Sequence, residues 1–301
     1  MRFLTSVLLL ILLNVFVYGQ KRLITVFLAG DSTMAAKTDD RRPETGWGEY
    51  LQSRFDDKKV RIENHAQNGR STKSFISEGR WQKIVDSLKK GDYVFIEFGH
   101  NDEKLDKPLV GAAAGGEYRD NLIRFVKDVR AKKAFPVLLT PVMRRRFNEQ
   151  GEFFDTHGEY PDAVRRVALE LKVPLIDLHR KSETIIKNLG VEDSKKLFLI
   201  LKPKEHPNYP SGIEDNTHFS AFGAEQMARA AADGVREAKI GLAKYLIDDG
   251  REKFRARGSF RPAPKTVFEW TITEFGAVLP SGATTENRAS FRAAFYSPPA
   301  A

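Results

Sequence analysis

Through the middle of the chain, short runs of apolar and β-branched residues alternate with longer stretches whose apolar positions recur every three or four residues. The short runs predict strands over 23–28, 60–64, 93–98, 136–140 and 175–178. The longer stretches predict helical segments near 46–54, 79–89, 118–132 and 160–171, and a last long helix over 221–247. Alternation of strand and helix implies a parallel sheet covered by helices on both faces. Right-handed crossovers bring every strand's C-terminal end to one edge, and ligands bind outside that edge. No internal repeat is visible.

Both ends depart from this pattern. Arg2 precedes an apolar stretch over 4–17, and Val17-Tyr18-Gly19 then leads into Gln20, which reads as a signal peptide over 1–19. The stretch is too short for a comfortable membrane span, and no other segment approaches that length. A domain over 20–248 is followed, after Asp248-Asp249-Gly250, by a basic, Pro-containing linker over 249–265. Phe268-Glu269-Trp270-Thr271-Ile272-Thr273 is strand-like, but residues 266–301 are too few to bury a core of their own.

Composition narrows the classes. Of the 301 residues 41% are hydrophobic and 30% charged, which suits a soluble protein with a substantial core. The absence of Cys removes disulfides, thiolate metal sites, a Cys nucleophile and a lipid-modified Cys. With the signal sequence, this leads us to expect a periplasmic or secreted protein. A net charge of +9 admits nucleic acid, an anionic membrane or an acidic polysaccharide as partner. The basic residues are scattered and not interleaved with aromatics, so no nucleic acid is expected, nor any membrane beyond the signal peptide.

Four segments carry candidate chemistry. The first strand runs into Gly30-Asp31-Ser32-Thr33, a turn that presents a hydroxyl. The second ends in Asn64-His65-Ala66-Gln67-Asn68-Gly69-Arg70, where Gly69 can expose its N–H with positive φ, although a plain Asn-Gly turn reads the same way. The third ends in Gly99-His100-Asn101-Asp102, which brings an amide donor to the same edge or simply builds an Asx turn. Asp215-Asn216-Thr217-His218-Phe219-Ser220 precedes the last helix, with either Asp215 or Ser220 available to cap it. Together they satisfy the needs of acyl transfer: Ser32 as nucleophile, His218 as base and Asp215 as its orienter. The Ser32 N–H, the Gly69 N–H and the Asn101 side chain would form an oxyanion hole.

The order Ser…Gly…Asn…Asp-x-x-His resembles the SGNH (GDSL-type) hydrolases over roughly 23–247. Gly30-Asp31-Ser32-Thr33-Met34, Thr45-Gly46-Trp47-Gly48 and Asp215-Asn216-Thr217-His218-Phe219 look like the rhamnogalacturonan acetylesterase branch. The resemblance implies a flavodoxin-like, three-layer α/β/α fold with a five-stranded parallel sheet, and a serine esterase that deacetylates pectic polysaccharide. It implies no metal or organic cofactor, and it gives Ser32, Asp215, His218, Gly69 and Asn101 the roles just named. An anionic polymer suits Arg, which binds carboxylates bidentately. Arg144 and Arg145 leave the fourth strand at the reactive edge and Arg70 adjoins Gly69, so these three are candidate substrate-binding residues. Trp47 is a fourth, as a platform for a sugar ring, unless it packs in the core.

Two rival substrate readings remain, xylan acetate and a lysophospholipase-like or thioesterase-like acyl chain, beside a non-catalytic carbohydrate-binding protein on the same scaffold. The segment over 270–295 resembles the opening of a polygalacturonase-type β-helix, a truncated cap that would belong to a fused pectin depolymerase. A solenoid cap without coils has nothing to stack on.

Overall fold

The computed structural model describes residues 22–247, 270–272 and 278–280. Strands β1 (Ile24–Gly30), β2 (Val60–Asn64), β3 (Tyr93–Glu97), β4 (Phe135–Leu139) and β5 (Leu175–Ile176) form one sheet in the order β2-β1-β3-β4-β5. All neighbours are parallel. The chain leaves β1 for β2 on one side and returns to β3 on the other. The sheet therefore has its switch point at β1, where diverging connections leave a crevice.

Three layers follow from the pleat. Val26 and Leu28 of β1, Phe95 of β3 and Val137 and Leu139 of β4 point to one face. There they pack with α5 (Leu178–Asp193) and α6 (Ala221–Glu237). Phe27, Ala29, Val94, Ile96 and Leu138 point to the other face, against α2 (Arg80–Ser87), α3 (Glu117–Ala131) and α4 (Tyr160–Glu170). Both faces are covered at the centre of the sheet, where β1, β3 and β4 are largely apolar, while the edge strand β2 alternates as Val60-Arg61-Ile62-Glu63. In α3 the buried residues Tyr118, Leu122, Phe125, Val126 and Val129 repeat at helical spacing and form the stripe that meets the sheet.

Some elements depart from the sequence pattern. The segment near 46–54 forms two 3₁₀ turns, Trp47–Glu49 and Gln52–Arg54, instead of a helix. Its first N–H groups are spent on another segment: Trp47 donates to the Thr33 carbonyl at 2.9 Å and Gly48 to that of Met34 at 3.2 Å. A Cβ on Gly46 would meet the Ala35 carbonyl oxygen at 2.0 Å, so glycine is what lets the two backbones touch. The last helix stops at Glu237, because Lys239 turns the chain with φ 51° before a 3₁₀ turn over Gly241–Tyr245. Asp177 caps α5, so that helix begins where the fifth strand was expected to continue. Helix α1 (Thr72–Ser77) and an antiparallel hairpin of β6 (Phe198–Leu201) and β7 (Ile213–Phe219) are further additions.

Beyond residue 247 the structure describes an antiparallel pair, β8 (Trp270–Ile272) and β9 (Val278–Pro280). The expected signal peptide over 1–19, the linker over 249–265 and the rest of the β-helix-like stub lie outside the described residues. Among the described residues no helix is long and apolar enough to cross a membrane.

Candidate active site

Ser32 stands on the turn that closes β1, at the switch point. Asp31 builds this turn: its carbonyl accepts from Met34 at 3.3 Å and Ala35 at 3.0 Å. Its Oδ1 accepts from the Thr33 N–H at 3.0 Å and the Thr33 hydroxyl at 2.9 Å. The Ser32 hydroxyl lies 2.8 Å from Nε2 of His218, and His218 Nδ1 lies 2.6 Å from Oδ2 of Asp215. With Asp215 ionised, Nδ1 carries the ring proton and Nε2 is free to accept from Ser32. Burial raises the Asp215 carboxyl, but the His218 ring and the N–H groups of His218 and Thr217 outweigh it and hold it at about 2.

In a regular strand, residues three apart face opposite sides. The β6–β7 ladder solves this by stepping from Phe198↔Phe219 to Leu199↔Asp215, which leaves Asn216, Thr217 and His218 outside the pairing. Asp215 Oδ1 gathers this bulge by accepting from Thr217 at 2.7 Å and His218 at 3.0 Å. Such bulges re-aim side chains beside functional sites. Ser220, the alternative cap, does cap α6 through Gly223 at 3.1 Å, which leaves Asp215 to the imidazole.

Gly69 adopts φ +76°, and a Cβ there would meet nothing within 4 Å, so the conformation rather than space favours glycine. The N–H groups of Ser32 and Gly69 donate to no acceptor among the described residues. Asn101 is buried; its Nδ2 donates to the Arg70 carbonyl at 3.1 Å and its Oδ1 accepts from Lys104 Nζ at 2.7 Å. Lys37, to which the sequence assigns no role, is 7% exposed. Its ammonium donates to the Ser32 carbonyl at 2.5 Å and Asn68 Oδ1 at 2.7 Å, and pairs with Glu44 at 2.8 Å. It ties the nucleophile's turn to the loop that carries Gly69. No local pattern marks this burial, since Asn68 and Glu44 close around the ammonium only in the folded chain.

Under the turn lies a buried polar network. Glu97 accepts from Trp47 Nε1 at 2.9 Å and Val142 N at 3.1 Å, and faces the Thr33 hydroxyl that also serves Asp31. Two carboxyls sharing one hydroxyl do not both ionise. Burial and the Asp31 charge push Glu97 up to about 8. Burial alone would raise Asp31, but His100 and the Thr33 donors hold it at about 2. Burial holds His100 down to about 4, so it is a neutral imidazole at neutral pH.

Glu97 makes stability depend on pH. The unfolded chain releases this proton near 4.5 and the fold only near 8, so the native state binds the extra proton between them and loses stability as pH rises. His100 opposes this between 4 and 6.5, where the unfolded imidazole takes up a proton that the folded one refuses. Of these two groups only Glu97 acts above 6.5. There urea titrations should show a fall of about 1–2 kcal/mol by pH 8, and Glu97→Gln should flatten that slope.

The candidate substrate-binding residues need correction. Trp47 is fully buried in the core and spends its Nε1–H on Glu97, so it offers no face to a sugar. Arg145 is 7% exposed and donates to Ser194 Oγ at 3.0 Å, Asn216 Oδ1 at 2.7 Å and the Val191 carbonyl at 2.5 Å. Its backbone N–H holds the Asn216 carbonyl as well, at 2.8 Å, so Arg145 fastens the bulge that bears His218. Arg144 is closed onto Glu103 at 2.7 Å. Arg70 stays partly exposed beside Gly69, with its charge paired to Glu78 at 3.1 Å. Among the described residues no group of three or more His, Cys, Asp or Glu is arranged to hold a metal ion.

Residues 28–226 match the model of the GDSL-like lipase/acylhydrolase family. Rhamnogalacturonan acetylesterase RhgT of Bacillus subtilis (strain 168) is 44% identical over 233 residues, covering 77% of this chain and 98% of its own length. The probable rhamnogalacturonan acetylesterase YesY of the same organism is 34% identical over 224 residues, covering 74% of this chain and 98% of its own. Among solved structures, protein YxiM of Bacillus subtilis superposes with a TM-score of 0.63 at 24% identity, over 73% of this chain and 58% of that one. The family and the branch expected from the four sequence blocks are the ones these matches give.

Proposed function

The chain belongs to the GDSL-like lipase/acylhydrolase family and is a carboxylic ester hydrolase, and on that premise we propose that it is an exported serine esterase that removes O-acetyl groups from pectic polysaccharide, with acetylated rhamnogalacturonan as substrate. The observation that carries the reading is the continuous relay from Asp215 through His218 to the Ser32 hydroxyl, at 2.6 and 2.8 Å. Relatives named rhamnogalacturonan acetylesterases, nearly all of whose length this chain covers, support the substrate.

Ser32 Oγ attacks the acetyl carbonyl while His218 Nε2 takes its proton, and Asp215 stabilises the imidazolium that forms. The N–H groups of Ser32 and Gly69 and the Asn101 amide stabilise the oxyanion. His218 then gives that proton to the departing sugar oxygen, which leaves as a free hydroxyl, and an acetyl ester remains on Ser32. Water, deprotonated by His218, attacks this ester; acetate leaves and Ser32 recovers its proton. Export rests on the apolar stretch over 4–17, and cleavage before Gln20 is the expected maturation.

Acetate release from acetylated rhamnogalacturonan, acetylated homogalacturonan and acetylated xylan tests the substrate. The highest kcat/KM is expected on rhamnogalacturonan. Equal or faster release from xylan would overturn the pectic substrate, and turnover of long-chain esters alone would overturn the acetylated polysaccharide.

A further inference from the structure

Asn101 can serve an oxyanion only with its nitrogen, not its oxygen, turned to the substrate. An amide is nearly symmetric in shape, so its two ends must be told apart by their partners. One partner is the Arg70 carbonyl, which accepts from Nδ2 at 3.1 Å and consumes one of its two hydrogens. The other is Lys104, whose ammonium donates to Oδ1 at 2.7 Å.

The Lys104 backbone is fixed for this task. Its N–H donates to the Asn101 carbonyl at 3.0 Å, its carbonyl accepts from Lys107 at 2.9 Å, and a Cβ on Gly111 would meet that carbonyl oxygen at 2.4 Å. Glycine at 111 is what lets that stretch of chain lie so close against the Lys104 carbonyl. The Lys104 side chain is exposed, yet its charge is directed onto a buried amide.

We propose that Lys104 is a positioning residue for the oxyanion hole: its ammonium locks Asn101 in the productive orientation and polarises the amide. A cation on the amide oxygen draws electron density from the nitrogen and strengthens the remaining N–H as a donor, because linked hydrogen bonds reinforce one another. The effect grows as charge develops on the acetyl oxygen, so it belongs to the transition state and acts on kcat. This rests on the reading of Asn101 as an oxyanion donor.

The test uses 4-nitrophenyl acetate, a neutral ester with no carboxylate for Lys104 to bind, and the full chain. Lys104→Met should lower kcat about 10-fold with little change in KM, and Lys104→Arg, which keeps the charged donor, should recover most of it. Asn101→Ala should lower kcat about 10²–10³-fold. Adding Lys104→Met to Asn101→Ala should then cost nothing further, since the group it acts through is gone. An unchanged kcat in Lys104→Met overturns the proposal, and so does an equal loss in the Asn101→Ala background, which would mean that Lys104 acts elsewhere. A normal kcat in Asn101→Ala alone would instead remove the oxyanion role of Asn101, and with it the basis of the proposal. Lys104→Met leaves Asn101 Oδ1 without this donor, so thermal melting is read beside kcat to show that the variant is folded at the assay temperature.

Discussion

Ser32→Ala and His218→Ala are each expected to lower kcat for acetate release by about 10⁴–10⁶-fold; Ser32→Ala should melt close to wild type, and His218→Ala, which takes from Asp215 the ring that holds its carboxyl low, should melt lower. Ser32 Oγ has His218 as its side-chain partner, so truncation leaves no buried carboxylate or ammonium stranded. The two losses should not add, because each removes the same proton-transfer step. Asp215→Asn should cost about 10⁴-fold by a different route. An amide –NH₂ opposite His218 Nδ1 would drive the ring proton to Nε2, where it faces Ser32 as a donor and can no longer accept. Initial rates of acetate release from the three variants, beside their melting curves, check all of this.

Trp47→Ala is expected to destabilise the fold by about 3–5 kcal/mol. The side chain is fully buried among Leu28, Met34 and their neighbours, and its loss opens a cavity at the base of the Ser32 turn. It also takes away the Nε1–H that serves Glu97 at 2.9 Å. Trp47→Phe restores most of the volume but not the donor, so it should cost about 1–3 kcal/mol. Urea unfolding measures both. If Trp47→Ala kept its stability and only weakened KM for the polymer, the sugar-platform reading would return.

Trp47 also marks where sequence reasoning reached its limit. Periodicity made the sheet legible: apolar runs such as those of β1, β3 and β4 imply strands covered on both faces, the alternating Val60-Arg61-Ile62-Glu63 suits the edge strand β2, and these strands form. Their shared C-terminal edge followed from handedness, which is why Ser32, Gly69 and Asn101 could be grouped before any coordinates. The 46–54 segment failed because its backbone donors are satisfied across the fold, by Thr33 and Met34, and local spacing carries no trace of that. Gly46 and Gly48 were the visible hint, since two glycines in three residues weaken a helix and permit close backbone approach.

The basic residues misled for a related reason. Charge and position suggested that Arg144 and Arg145 face substrate, yet whether an Arg is free depends on residues distant in sequence. Arg145 is spoken for by Val191, Ser194 and Asn216, and Arg144 by Glu103. Burial of Lys37 beside the nucleophile was hidden in the same way, since its partner Glu44 and the Asn68 amide come together only in the folded chain. The spacing of Asp215 and His218 suggests a pair, but the bulge that turns them to one side comes from the mismatch of β6 and β7.

The acyl-enzyme on Ser32 is the centre of the account. Rapid acid quench during turnover of 4-nitrophenyl acetate, followed by mass spectrometry of the proteolysed chain, tests it most directly. One acetyl group on the peptide bearing Ser32, absent from Ser32→Ala, is the expected result. Acetate released at the wild-type rate by Ser32→Ala, or an acetyl group carried on another residue in its place, would contradict it.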